Sequence, residues 1–197
     1  VNAAGDIPLE ELLADARACT ACTDLPLGPR PVLQAAAGAK LLIIGQAPGT
    51  RVHATGVPWN DRSGDNLREW MQVDSAVFHD PARIAIIPMG LCYPGRGASG
   101  DLPPRPQCAP RWHPTLLAGL PDVALVLLVG SYAQQRYLGS HPQGVSGRVQ
   151  SFGAYLKEGW FPLPHPSPRN RLWLRQRPWF LEAVVPALRR QVHALLR

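Results

Sequence analysis

At 197 residues, 46% of them hydrophobic and 17% charged, the chain is long enough to bury one compact core and too apolar to be disordered. No apolar run approaches the roughly 20 residues of a membrane-spanning helix. All but two of the 20 basic residues are arginine, the exceptions being Lys40 and Lys157, so the net charge of +6 fits phosphate binding and genomic base composition equally well.

The amino-terminal stretch VNAAGDIPLEELL has no basic segment leading into an apolar one. The expected compartment is therefore the cytoplasm, in a bacterium the cytoplasm or nucleoid, where routine disulfides do not form. From Pro8 to Ala18, Leu9, Leu12 and Leu13 recur at helical spacing, ahead of Cys19-Thr20-Ala21-Cys22 and a proline-rich loop. Lys40 to Gly45 is a continuous apolar run ended by glycine, the pattern of a parallel strand buried on both faces. A long polar loop follows to Gly64, and Asn66 to Met71 opens a helix with Leu67, Trp70 and Met71 on one side. Ile84 to Ile87 is a second strand. The loop from Pro88 to Pro110, rich in Gly, Pro and Arg, is long enough to suggest a functional role.

Trp112 to Leu120 reads as a helix, Val123 to Gly130 as the strongest strand, and Ser131 to Leu138 as the helix after it. Trp160 to Leu163 is a short fourth strand. Trp179 to Leu196, with apolar residues at steps of three and four, is an amphipathic terminal helix. With no repeat and no sharp shift in composition, residues 1–197 read as one domain. The expected architecture is a three-layer αβα fold around a central, mostly parallel four-stranded sheet.

In such a sheet the ligand crevice lies beyond the carboxyl ends of the strands. Two polar loops emerge there, Gly45-Gln46-Ala47-Pro48-Gly49 and His165-Pro166-Ser167-Pro168-Arg169-Asn170. The first also fits an ordinary tight strand-to-helix turn. Around the second, Pro164, Pro166 and Pro168 stiffen the backbone beside one imidazole, as suits a hydrogen-bond donor aimed at a ligand. Cys19 and Cys22 form a Cys-x2-Cys pair, and Cys92 and Cys108 have fifteen residues between them in the long loop. Four such thiols suit an iron–sulfur cluster or structural zinc.

Together the two loops resemble the paired motifs of the uracil-DNA glycosylase superfamily, a Gly-Gln/Glu-x-Pro loop after the first strand and His-Pro-Ser after the last. Ala47 stands where the best-known branch has a catalytic Asp, and Ala47-Pro48-Gly49 is similar to the family-4 and family-5 branches. Those branches carry a 4Fe-4S cluster on a comparable cysteine arrangement. The resemblance thus implies Cys19, Cys22, Cys92 and Cys108 as cluster ligands, with zinc as the alternative.

The resemblance also implies uracil-containing DNA as partner, no membrane, a monomeric enzyme, and base flipping followed by hydrolysis of the N-glycosidic bond. His165 is the expected donor to the departing base, and Trp59 the stacking face. Asp61 resembles the catalytic carboxylate of family 5, and Gln46 contributes its amide or backbone. Asp65 is the weaker rival and reads as a helix N-cap. Gly45, Ala47, Pro48, Gly49 and Asn60 complete the expected pocket. Ser167, Arg169 and Asn170 are expected at DNA phosphates, with Leu172 as an apolar wedge.

The sequence departs from the pattern at Pro88, where family-4 members usually have an Asn that reads the pyrimidine edge. Base selectivity must then come from elsewhere, with backbone groups around Met89 and Gly90, or Asn60, as the expected sources. The departure also motivates an alternative function, a catalytically weak nucleic-acid-binding module that keeps fold and cluster.

Overall fold

The computed structural model describes residues 7–98 and 100–197. Its centre is a sheet of four parallel strands, β1 (Leu41–Ile44), β2 (Ile84–Ile86), β5 (Leu125–Val129) and β6 (Trp160–Leu163), in the order β2-β1-β5-β6. Register runs Leu41 beside Ile84 and Leu125, and Val126 beside Trp160. Every residue of β1 is buried, as the unbroken apolar run predicts for a central strand.

Alternation along the strands divides the interior into two layers. Leu41 and Ile43 point to one face, where they join Leu67, Met71, Phe78, Phe161, Phe180 and Leu188. That face is covered by α3 (Arg62–Met71) and the terminal helix α10 (Val185–Leu195). Leu42 and Ile44 point the other way, to Leu9, Leu13, Leu116 and Leu128, under α1 (Leu9–Arg17) and α5 (Cys108–Ala118). The αβα layering expected from the sequence is present.

The structure corrects the reading between these elements. The polar loop after β1 contains a short helix, α2 (Thr50–Thr55), and α4 (Ser75–Phe78) follows α3. The long loop after β2 holds a two-stranded antiparallel ribbon, β3 (Arg96–Gly97) with β4 (Gly100–Asp101), and ends where α5 begins at Cys108. After α6 (Ser131–Leu138), two unforeseen helices, α7 (Gly144–Gln150) and α8 (Phe152–Leu156), lead to β6. The expected terminal helix begins as a π-helical segment, Phe180–Val184. Pro186 follows it and has no N–H with which to continue regular helical bonding. Among the described residues no helix is long and apolar enough to cross a membrane.

Candidate functional site

The carboxyl ends of β1 and β6 open into a cavity of about 730 Å³. It is lined by all five residues of the Gly45–Gly49 loop, by Trp59 and Asp61, and by His165, Ser167, Arg169 and Asn170. Parallel pairing through β5 brings the two motif loops to the same edge of the sheet although they are far apart in the chain. Asn60 and Leu172 are not among the lining residues.

His165 lies two residues beyond the end of β6, after Pro164, and is partly buried. Gly130, at the end of β5, approaches it closely: a side chain there would meet the His165 Cβ and Cδ2 at 3.7 Å. Burial lowers the His165 pKa below the usual 6.5, Asp61 raises it and Arg169 lowers it further. The net direction is down, which favours the neutral imidazole at pH 7. The loop that carries it is pinned twice, by Asn170 Nδ2 donating to the His165 carbonyl at 2.7 Å and by Asn66 Nδ2 donating to the Pro166 carbonyl at 2.7 Å.

Trp59 adopts a left-handed backbone, φ 54°, a conformation that costs a bulky residue on the order of 1–3 kcal/mol. Two glycines make room for it. A Cβ on Gly45 would lie 2.8 Å from Trp59 Cζ2, and one on Gly64 would collide with the Trp59 carbonyl oxygen. The indole therefore lies across the start of the first motif loop while its other side packs on the hydrophobic core.

Asp61, not Asp65, caps α3: its Oδ1 accepts from the Gly64 N–H at 2.9 Å. Asp65 instead forms an exposed i,i+3 ion pair with Arg68, at 2.6 Å. The cap fixes the Asp61 carboxylate at the cavity wall, with Oδ2 on the Gly49 side. Gln46 donates through Nε2 to the Leu102 carbonyl at 3.1 Å, and so ties the motif loop to the β3–β4 ribbon.

That ribbon brings in residues the sequence reading missed. Arg96 and Asp101 both line the cavity. Asp101 stands at the exposed rim, and its pKa is raised by burial of the carboxyl and by Asp61, against the opposing pull of Arg169 and Arg96. Two-residue strands among glycines have no readable period, so only tertiary placement reveals these groups.

On the rim, Ser167 Oγ accepts from the Arg169 N–H at 3.3 Å and caps the 3-10 turn Pro168–Asn170. The Asn170 amide is committed to its own loop rather than turned wholly outward. Leu172, on α9 (Arg171–Arg175), is 64% exposed. Of the backbone groups expected to select the base, the N–H groups of Met89 and Gly90 are otherwise engaged. Met89 N–H donates to the Gly45 carbonyl and Gly90 N–H to the Gln46 carbonyl, each at 2.9 Å. Pro88 lines the cavity, and its carbonyl is held by His113 Nε2 at 3.0 Å.

Cys19, Cys22, Cys92 and Cys108 are free thiols that line one small cavity of about 20 Å³ on the far side of the Gly90 turn. No group of three His, Cys, Asp or Glu among the described residues is gathered closely enough to hold a single ion. N–H groups point at the sulfurs: Leu91 N–H at 3.3 Å from Cys108 Sγ, Gln107 Nε2 at 3.5 Å from Cys22 Sγ, and the Arg30 backbone N–H on Cys92. Burial pushes Cys92 up to about 11 and raises Cys108. Four cysteines around one cavity, with N–H donors to three of the sulfurs, are the donor set that a thiolate-binding group would use.

Against known protein families, residues 33–189 match the model described as the uracil DNA glycosylase superfamily. The matched stretch begins ahead of β1, ends within α10, and contains both motif loops and every residue lining the cavity except Val32. The chain belongs to the uracil DNA glycosylase superfamily.

Proposed function

We propose that this protein is a monofunctional DNA glycosylase of the iron–sulfur branches, which removes uracil or a related damaged base from DNA in base-excision repair. The observation that carries this reading is the convergence of His165, Asp61 and Trp59 on one cavity at the strand ends.

A base turned out of the duplex enters that cavity and lies against the Trp59 indole. As the N-glycosidic bond lengthens, negative charge gathers on the base and positive charge on the sugar. His165, neutral and stiffly held, donates a hydrogen bond to the base carbonyl where the charge accumulates, and its donor is already in place before the reaction. The Asp61 carboxylate, fixed by its cap, stabilises the cationic sugar. Water supplies the oxygen that replaces the base. Neither lysine lines the cavity, and Lys40 is paired with Asp122 at 3.0 Å, which supports hydrolysis without a Schiff base.

Arg169 and Ser167 meet backbone phosphates at the rim, and exposed Leu172 fills the gap left in the duplex. Cys19, Cys22, Cys92 and Cys108 would hold a 4Fe-4S cluster, which when bound supplies a rigid cross-link between the amino-terminal loop and the loop after β2.

The test is release of free base from a uracil-containing oligonucleotide, with other deaminated bases in parallel. Base release with an unbroken strand until alkali treatment is the expected result. Binding without release would return the chain to a nucleic-acid-binding role.

A further inference from the structure

Beside Gly49, where the Asp61 carboxylate also comes close, stands the carboxylate of Asp101. Gly49 has φ −85° and ψ 177°, a conformation open to any residue, so its lack of a side chain is not demanded by the backbone. A Cβ built there would lie 3.6 Å from Asp101 Oδ2 and 3.7 Å from Asp61 Oδ2. With no side chain at Gly49, the space beside these two carboxylate oxygens is left open to water within the cavity that His165 also lines.

We propose that Asp101 is a second catalytic carboxylate, which takes the proton of the attacking water held above Gly49 between Asp101 and Asp61. The assignment rests on the glycosylase reading and deepens it. Hydrolysis asks for two different things from acidic groups: a fixed anion beside the developing sugar cation, and a base for the water. Asp61 has one oxygen committed to the Gly64 N–H and cannot turn, which suits the first task.

Asp101 sits on the ribbon, held in place by Leu102 N–H to the Gly95 carbonyl at 2.8 Å and by Gln46 Nε2 to the Leu102 carbonyl at 3.1 Å. Its carboxyl faces Asp61, Arg96 and Arg169, and the upward shift from burial makes its carboxylate a better proton acceptor than an ordinary aspartate. In the step, the water oxygen bonds to the sugar C1′ as the C1′–N bond breaks. The bonding pair leaves with the base, whose oxygen His165 holds, and the water proton passes to Asp101.

Single-turnover kinetics and DNA binding on a uracil-containing oligonucleotide, for the wild type, D101N, D101E and G49A, test the proposal. D101N should slow base release about 100-fold or more while DNA affinity stays within a few-fold, the usual range for loss of a general base. The wild-type rate should rise with pH as Asp101 ionises. That limb should vanish in D101N, and D101E should recover part of the rate. G49A makes only ordinary contacts, so it should fold and bind DNA normally yet lose about 10-fold in rate by filling the water space.

A D101N enzyme with wild-type rate, one that loses affinity alone, or one that keeps the same acid limb would overturn the role of Asp101 and leave the glycosylase reading intact. A wild type that releases no base from any substrate would overturn that reading, and this proposal with it.

Discussion

The Trp59 indole and the His165 imidazole lie with centroids 5.8 Å apart and planes inclined by 34°, so the proposed stacking face and the proposed hydrogen-bond donor form two adjoining walls of one pocket. Gly45 holds the indole in this position, because a methyl there would press on Trp59 Cζ2 at 2.8 Å. G45A should therefore reduce base release by about 10-fold or more. Pairing it with W59F, which removes the ring atom in conflict, should recover part of the loss. A double-mutant cycle on single-turnover rates checks this, with strict additivity speaking against the contact.

Removing the donor is the more severe change. H165A should slow base release by about 100- to 1000-fold, the usual effect of deleting one preorganised donor, with DNA affinity little altered. Because burial lowers the His165 pKa and favours the neutral ring, raising the pH from about 7 to about 8.5 should leave its contribution unchanged.

Asp61 combines a cap with a charge, and the two are separable. D61N retains a side-chain oxygen for the Gly64 N–H, so its melting temperature should stay near wild type while its activity falls. D61A should lose activity and also about 1 kcal/mol of stability. Thermal melts run beside rate measurements distinguish the two effects.

Stability should fall on mild acidification. His53, His113 and His165 all have folded-state pKa values lowered by burial, so below about pH 6.5 the unfolded chain takes up protons that the folded chain refuses. Stability is complete above that pH, declines below it, and levels off once the pH is under the folded values. Denaturant melts between pH 7.5 and 5 check the slope, and H113Q should flatten part of it.

At the rim, R169A should weaken DNA binding and lower the slope of log affinity against log salt by about 1. Titrations at several salt concentrations measure it. An unchanged slope would remove Arg169 from phosphate contact.

The parts of this molecule legible in its sequence are those governed by short-range rules. The buried strands announce themselves as apolar runs, and the two motif loops sit at their ends where parallel topology requires them. What escaped has no local pattern. Helix α2 buries only Val52, the ribbon is made of two-residue strands, and Asp61 resembles a free carboxylate until the position of the Gly64 N–H is known. Asp101 is an ordinary loop acid in the sequence, and becomes a site residue only because Gln46 draws the ribbon over the pocket. The same three-dimensional information withdraws Met89 and Gly90, whose N–H groups already serve the first motif loop.

The edge position of β6 sets an order on synthesis. This strand pairs only with β5 within the sheet, and His165 lies just beyond its last residue, Leu163. A nascent chain that has not yet delivered β6 from the ribosome carries Gly45–Gly49, Trp59 and Asp61 but no imidazole. The site is thus completed only when β6 is delivered and pairs with β5, since its imidazole comes with that strand.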